Sequence, residues 1–435
     1  MLANFIDLFV SKAGPGALAF LADKMPRYVL EWNAEDAFRQ TVRYAYKYSK
    51  FYKRRFDELN IDVRKIRRPS DLKDFYTMPL DIIEHAEDFI CSAPNMVFES
   101  SGTTGRNKRV YASMEELDRI GKFNAASMLY GGIAKTDRLV NAFDFNIWIP
   151  GMITQKTLEQ SGMFGMAAGK VDPMEVYSRI PIYKFNIVMG EPTWLIKLTE
   201  LAEKHGSYPL KFIIGGAERM PDAARSWMSK VWQGAQIRMV YASVESTGTI
   251  AYEAFNECEG YHIDETNFIV EIVDAGEDGY GEVVFTTLSR RTMPLIRYKN
   301  RDISKITDVK CNCGLPYKRL AKIRGRADEL VVASGGNLYP LMFENIFKDI
   351  DGIASDWQII FRLRGIREVM EINLEVREGV LGDVIKKKVF ANIKSRYPDL
   401  WKNMEIAIFE TDFVFHVPGT LRSDRKLLRL IDKRS

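Results

Sequence analysis

The chain has 435 residues, 46% of them hydrophobic and 28% charged, and its 62 basic and 58 acidic side chains leave a formal net charge of +4. So even a balance gives no support for a nucleic-acid protein, and no apolar run reaches the roughly 18 residues of a membrane span, so a water-soluble globular chain of two or three domains is expected. Four cysteines are too few for a disulfide framework, and Met1-Leu-Ala-Asn-Phe-Ile-Asp lacks the basic start of a secretory signal, which together point to a reducing, cytoplasmic setting.

Residues 1 to about 90 read as mainly helical, with apolar residues at mixed three and four spacing over Asp36–Tyr46 and Ser49–Leu59. Pro69-Ser-Asp-Leu-Lys and Met78-Pro-Leu then punctuate the approach to Phe98-Glu-Ser-Ser-Gly-Thr-Thr-Gly-Arg-Asn-Lys108. Met96 to Phe98 reads as a buried strand end. Gly102 and Gly105 permit positive φ, so successive N–H groups can face one concavity. Ser100, Ser101, Thr103 and Thr104 add hydroxyls, and Lys108 adds charge. The stretch is a phosphate cradle by composition, although no Gly-Lys-Ser/Thr follows as in the common nucleotide loop. On these residues alone an ordinary polar loop remains open.

From 110 to 250 helix and strand alternate. Helices are predicted over Ser113–Tyr130, Gly151–Ser161, Trp194–Lys204 and Asp222–Trp232. Strands are predicted over Arg138–Phe143, Asn186–Met189, Leu210–Ile214 and Gln236–Tyr241. This alternation argues for an α/β fold with a parallel sheet, whose ligands lie beyond the carboxyl ends of the strands. The segments at those ends are Gly215-Gly-Ala-Glu-Arg219 and Ala242-Ser-Val-Glu245. Asn267–Val273 and Gly281–Thr287 read as a hairpin in a smaller β-rich region. After Gly325-Arg-Ala-Asp328 comes a compact α+β unit of roughly 100 residues. It reads strand, helix (Leu341–Asp349), two strands (Trp357–Leu363, Val369–Val376), helix (Leu381–Ile393) and strand (Glu405–Phe409). The basic stretch from Arg422 to Arg434 reads as a solvated face or tail.

Cys258-x-x-x-His262 and Cys311-Asn-Cys313 supply three thiols and one imidazole, enough to close a tetrahedral zinc shell. The spacing is not that of a standard finger, and buried free cysteines are the alternative. With no group left over for a bound water, such a zinc would be structural. Cys91 stands outside the set and reads as core. His85, His205 and His416 form no convincing triad with any Ser or Cys.

Taken in order, these stretches resemble the motifs of the adenylate-forming superfamily, which includes acyl-CoA ligases, luciferases and peptide-synthetase adenylation domains. Ser-Ser-Gly-Thr-Thr-Gly-x-x-Lys108 is similar to its phosphate loop, with Asn107 for the usual Pro. Gly215-Gly216-Ala217-Glu218 is similar to the segment beside the adenine and the acyl group. Tyr241-Ala242-Ser243-Val244-Glu245 resembles Tyr-Gly-x-Thr/Ser-Glu, whose aromatic stacks on adenine and whose Glu helps hold Mg²⁺. Here Ala242 replaces the Gly and Val244 the hydroxyl. Tyr298-Lys-Asn-Arg-Asp302 resembles Tyr-Arg-Thr-Gly-Asp, whose Asp takes the ribose hydroxyls, a diol suited to a two-oxygen acceptor. Lys299 and Arg301 depart from that pattern. Arg326 would reach the ribose or phosphate, and Asp328 falls at the hinge position. Pro418-Gly-Thr-Leu-Arg-Ser-Asp-Arg-Lys426 matches the terminal motif whose Lys bridges carboxylate and α-phosphate.

Lys50-Phe-Tyr-Lys-Arg-Arg-Phe-Asp-Glu58 and Thr292-Met-Pro-Leu-Ile-Arg-Tyr298 look like phenylacetate–CoA ligases and their relatives. Those proteins often carry Cys-x-Cys-Gly at the place of Cys311, which supports the zinc. Their acyl-pocket wall corresponds to Phe143-Asp144-Phe145-Asn146-Ile147-Trp148, where Asp144 and Asn146 replace small residues. With Gly215 at its edge, that pocket is expected to favour an aryl acid with polar substituents; the alternative is that both side chains cap a turn.

The resemblance implies a large N-terminal adenylation domain, residues 1–326, and a small mobile α+β C-terminal domain, residues 327–435. It implies activation of a carboxylic acid with ATP and Mg²⁺ as acyl-AMP, then transfer to coenzyme A. Catalysis would rest on Lys426 and Glu245, and a homodimer is left open. An amine or a carrier-protein thiol is the alternative acceptor. A zinc-containing binding protein with a decayed ligase site is the alternative of another class, favoured by Val244 and Arg301.

Overall fold

The computed structural model describes residues 9–10, 12–100, 107–218, 220, 222–255, 258–307, 309–327, 331–333, 336–364, 367–405, 409–422 and 427–434. It comprises two compact units, Met1–Asn300 with Ser304–Lys322, and Arg301–Ile303 with Ile323–Ser435. Among the described residues no helix is long and apolar enough to cross a membrane.

The first unit opens with helices Pro15–Leu21, Arg27–Tyr48 and Lys50–Glu58. Ser49 divides the last two, its Oγ accepting the Tyr52 N–H at 3.2 Å, which is N-capping. Two antiparallel strands follow, β1 (Met96–Ser100) and β2 (Lys108–Ala112), in a register that sets Ser100 opposite Lys108. Val97 is exposed while Phe98 is buried, so β1 is half-buried along its length.

The main sheet is built from β3 (Arg138–Asn141), β4 (Phe164–Ala167), β5 (Ile187–Gly190), β6 (Phe212–Gly215), β7 (Gln236–Ser243), β8 (Gly248–Tyr252) and β9 (Tyr261–Ile263). A second sheet uses β10 (Phe268–Val273), β11 (Gly281–Thr287) and β12 (Tyr298–Ser304); β13 (Ile306–Thr307) and β14 (Arg319–Leu320) return to the first. The nine-stranded order is β13-β14-β9-β8-β7-β6-β5-β3-β4, with β7-β6-β5-β3-β4 parallel. Every residue of β5 and β6 is buried, as parallel strands covered on both faces must be. Helices Met114–Tyr130, Pro150–Ser161, Pro192–His205 and Asp222–Val231 agree with the predicted spans to within two residues. The first begins with a reciprocal capping box: Ser113 Oγ accepts the Glu116 N–H at 3.2 Å, and the Glu116 carboxylate accepts the Ser113 N–H at 2.9 Å.

Two of the elements not predicted lie in the α/β region. β4 is an edge strand with a largely exposed face, so it lacks the apolar run of its neighbours. Helix Pro173–Tyr183 contains Pro181, which reads as a breaker but is tolerated where the helix is ending; Lys184 closes it at φ +54°.

The second unit contains β15 (Gly325–Arg326), β16 (Val331–Ala333), β17 (Gly336–Leu338), helix Pro340–Phe347, β18 (Ile353–Arg364), β19 (Arg367–Val376), helices Gly382–Arg396 and Pro398–Glu405, β20 (Glu410–His416) and β21 (Leu430–Lys433). Its four-stranded sheet runs β20-β19-β18-β21 around a core that includes Phe343, Ile359, Phe361, Ile372, Val389 and Ile393. The strand expected over Glu405–Phe409 is displaced. Pro398 opens a further helix that ends at Glu405, because its pre-set φ suits a first helical turn, and the strand starts at Glu410. The described end of the basic tail forms a strand with an exposed side. β21 pairs in parallel with β18, and Arg434 pairs with Glu368 at 2.8 Å.

Candidate active site

β1 ends at Ser100 and β2 begins at Lys108, so the register brings the two ends of the Ser/Thr/Gly loop together. Ser101, Gly102, Thr103, Thr104 and Gly105 lie outside the described residues, as do Asp328 and Lys426. Glu245 follows β7. Its Oε1 accepts the Ser100 hydroxyl at 3.1 Å and pairs with the Lys108 ammonium. The residue is 4% exposed. Burial pushes its carboxyl up, but the Lys108 charge together with hydrogen bonds from Lys108, the backbone and Ser100 more than offsets this, and the carboxyl is held below the usual range.

Sequence reasoning missed the group that holds this glutamate. Arg290, itself buried, donates to the Glu245 carbonyl at 2.6 Å and to the Tyr111 carbonyl at 2.7 Å. Burial lowers its guanidinium to about 10, so it still carries its charge at neutral pH. Glu116, after capping its own helix, accepts the N–H groups of Arg291 and Thr292 at 2.6 and 2.7 Å. Arg290 is thus fixed by its backbone as well as its side chain. Val244 packs into an apolar cluster with Phe98, Leu117, Ile120 and Ile153. The position that carries a hydroxyl in the resembled motif is here used for the core. Ser243 and Ser246 close the turn, each Oγ accepting the other's N–H at 3.1 Å.

Tyr241 is buried, and Asn300 Nδ2 donates to its hydroxyl at 2.7 Å. Asn300 lies inside the Tyr298–Asp302 motif but was not singled out, since nothing local marks a pairing with β7. Gly216 requires glycine. A Cβ there would stand 2.8 Å from Val240 Cγ2 and 3.4 Å from Phe143 Cζ. Ala217, Thr247 and Arg301 hold φ of +69°, +57° and +68°, and such strain clusters at functional sites. Ala242 is exposed. In the second unit Asp302 is the register partner of Arg326, with Oδ1 3.5 Å from Nη1.

Beyond the carboxyl ends of β3 to β6 lies the crevice in which such sheets bind ligands. Phe143 is buried against the Gly216 end, and Gly215 ends β6. Phe145, largely exposed, stands beside Gly169, where a Cβ would meet its Cδ2 at 3.6 Å. Trp148 is partly buried. Asp144 takes part in a local turn, the alternative to the pocket reading of it and Asn146. Its carboxylate accepts the Asn146 N–H at 3.0 Å, an Asx turn, and Asn146 is exposed. Polar pairs also stand in the segments after β4, β5 and β6. Lys170 pairs with buried Glu191, and the Thr193 hydroxyl donates to Glu218.

In the second unit Asp356 is buried between two arginines on either side of Lys426. Arg422 Nε lies 2.9 Å and Arg429 Nη2 3.0 Å from its carboxylate. Glu375 accepts the Gly419 and Leu421 N–H groups, both at 2.8 Å.

Cys258, His262, Cys311 and Cys313 converge, their ligand atoms all within 4.8 Å of one another. Cys311 Sγ is 3.7 Å from Cys258 Sγ, and Cys313 Sγ is 3.2 Å from His262 Nε2. About 3.7 Å is the edge of a tetrahedron whose metal–sulfur bonds are near 2.3 Å, so the donor set fits a zinc ion. Burial lowers His262 to about 4, which keeps the imidazole neutral, the form that binds metal. Arg319 donates to the Glu259 and Val309 carbonyls at 2.8 and 3.2 Å, bracing the two segments that carry the ligands.

Residues 335–434 match the family described as AMP-binding enzyme C-terminal domain. The phenylacetate–coenzyme A ligase of Thermus thermophilus is 28% identical over 373 residues, 82% of this chain and 83% of that protein. The enzyme of the same name from Escherichia coli K12 is 24% identical over 360 residues, 78% and 81% of the two chains. The chain is thus similar to phenylacetate–CoA ligases over most of its length, and its second unit matches the C-terminal domain of AMP-binding enzymes. Solved structures of adenylate-forming ligases share its fold. One is 2-hydroxyisobutyryl-CoA ligase in the postadenylation state, with TM-score 0.79 at 18% identity over 93% of this chain and 89% of that one. Another is o-succinylbenzoate coenzyme A synthetase from Bacillus subtilis with ATP and magnesium, with TM-score 0.56 at 17% identity over 78% and 69%. Ser100, Lys108, Gly216, Tyr241 and Glu245 all belong to the first unit, and Asp302 and Arg326 to the second.

Proposed function

We propose that this chain is an AMP-forming acid–thiol ligase that converts a carboxylic acid and MgATP to acyl-AMP and pyrophosphate, then passes the acyl group to coenzyme A. The observation that carries the reading is the convergence of Ser100, Lys108 and Glu245 at the two ends of the Ser/Thr/Gly loop. In the free protein the Lys108 ammonium neutralises the carboxylate. With MgATP bound, the lysine would turn to the phosphates and Glu245 to the magnesium. Tyr241 would carry the adenine, and Asp302 and Arg326 the ribose. Lys426 would bridge the carboxylate and the α-phosphate, where charge gathers in the transition state. Asp328 would be the hinge between the two half-reactions.

The curated relatives act on phenylacetate with coenzyme A by name, which supports an arylacetic or related acid and favours coenzyme A over an amine or carrier protein. The packing of Val244 against the core weakens the decayed-site alternative, since that departure is accounted for by burial. The convergence of Cys258, His262, Cys311 and Cys313 supports one structural zinc.

Acid-dependent ATP–pyrophosphate exchange tests the reading. Wild type should exchange with at least one aryl acid, and Lys426→Ala should lose exchange while keeping its fold and its ability to form thioester from supplied acyl-AMP. Equal loss of both half-reactions in that variant would count against the role given to Lys426.

A further inference from the structure

Lys170 and Glu191 come from the loops after β4 and β5, and β3 lies between those strands in the sheet. Their ion pair therefore passes over the carboxyl end of β3, where Phe143 and Phe145 begin. The Asn141 carbonyl accepts the Ala168 and Gly169 N–H groups at 2.9 and 3.0 Å, and Trp194 Nε1 donates to the Val171 carbonyl at 2.7 Å, so the segment carrying Lys170 is strapped in place. The Glu191 side chain is 3% exposed and that of Lys170 32%. Glu191 stands at the N-cap of helix Pro192–His205, yet its carboxylate does not cap that helix. The Thr193 N–H is instead taken by Glu218 at 3.3 Å. A buried carboxylate at a helix start that does not itself cap the helix and faces a partly exposed lysine is not explained by local structure.

Its place relative to the nucleotide motifs suggests a purpose. Phe143 abuts Gly216 at the end of the crevice near Tyr241, and Phe145 abuts Gly169 next to Lys170. An acid whose carboxyl reacts at the Gly216 end would point its far end at Lys170 and Glu191. We infer, on the adenylation reading above, that this pair selects the distal substituent of the acid and that the substituent is a hydroxyl. A second carboxylate there would face Glu191, and an ammonium would face Lys170. A hydroxyl both donates and accepts, so it satisfies the buried carboxylate and the ammonium together. Sites built to hydrogen-bond a substrate hydroxyl discriminate strongly against the analogue without it.

The test measures exchange kinetics of wild type, Lys170→Met and Glu191→Gln with phenylacetate and its 4-hydroxy, 4-carboxy and 4-amino derivatives. Wild type should prefer 4-hydroxyphenylacetate by on the order of tenfold or more in kcat/KM. Both variants should lose that preference through KM for the acid, with KM for ATP unchanged. If Glu191→Gln does not fold, Lys170→Met, with its partly exposed side chain, decides the matter. A wild-type preference for any of the other three acids, or a hydroxyl preference that survives in a folded variant, overturns the inference and leaves adenylation standing. No exchange with any acid overturns both.

Discussion

One carboxylate oxygen of Glu245 serves both the Lys108 ammonium and the Ser100 hydroxyl, so the two strand ends that bracket the Ser/Thr/Gly loop share a single buried anchor. Removing the cation leaves an uncompensated buried charge, which costs about 3–5 kcal/mol. Lys108→Met should therefore lower the urea midpoint well beyond what a surface change would do, with exchange activity lost. A midpoint within experimental error of wild type would show that Glu245 is hydrated in solution.

The same anchor has a pH signature. The Glu245 carboxyl lies below its ordinary value of 4.5 in the folded chain. Its stabilisation is therefore complete above about pH 4.5 and is lost as pH falls through the folded value. The stability gap between wild type and Glu245→Gln should be flat above that pH and close below it. A gap that widens on acidification would contradict the sign.

Asp302 opposes Arg326 across a two-residue ladder. If the pair receives ribose, Asp302→Asn forfeits a hydrogen bond to a charged group, about 1.5–3 kcal/mol. KM for ATP should rise by roughly ten- to a hundredfold, with KM for the acid unmoved. An unchanged KM for ATP would remove Asp302 from the nucleotide site.

Asp356 holds the segments on both sides of Lys426 through Arg422 and Arg429. On the proposed role of Lys426, Asp356 would be a positioning residue for it. Asp356→Asn should slow acyl-adenylate formation at least tenfold, as a small misplacement from the reacting geometry does. Thioester formation from supplied acyl-AMP should keep its rate. Loss of both half-reactions together would indicate a merely structural role.

Protein purified without added metal should contain near one zinc per chain by elemental analysis. Cys311→Ser should lose the metal and melt at a lower temperature, because metal binding to such a site is folding free energy. Zinc-free wild type with an undiminished melting temperature would refute the assignment.

What was legible in the sequence was what has a local signature. β5 and β6 are short buried apolar runs, and the helix expected from Ser113 to Tyr130 carries its own periodicity. The thiols declared themselves by chemical type. What stayed hidden depends on distant parts of the chain. Arg290 reaching Tyr111 and Glu245, Asn300 reaching Tyr241, and Lys170 reaching Glu191 join segments with no shared periodicity. Asp144 shows the converse. Its chemistry suggested a pocket wall, and the structure adds a turn in which one carboxylate oxygen accepts an N–H two residues away. Pro181 and Pro398 show the limit of proline as punctuation, since one is tolerated at a helix end and the other begins a helix.

The convergence of Cys258 and Cys311 also bears on how the protein withstands oxidants. Their sulfurs stand 3.7 Å apart, while a disulfide needs about 2.05 Å. A bound cation would hold them at that separation and occupy the lone pairs an oxidant attacks. Stripped of the ion, the two thiols are near enough to be joined by a two-electron oxidation after a small local shift. That bond would remove two of the four donors at once. Metal loading and redox damage are then competing fates of the same atoms, and a stock of this protein kept with a chelator but no reductant would be expected to lose its capacity to rebind metal before it loses its fold.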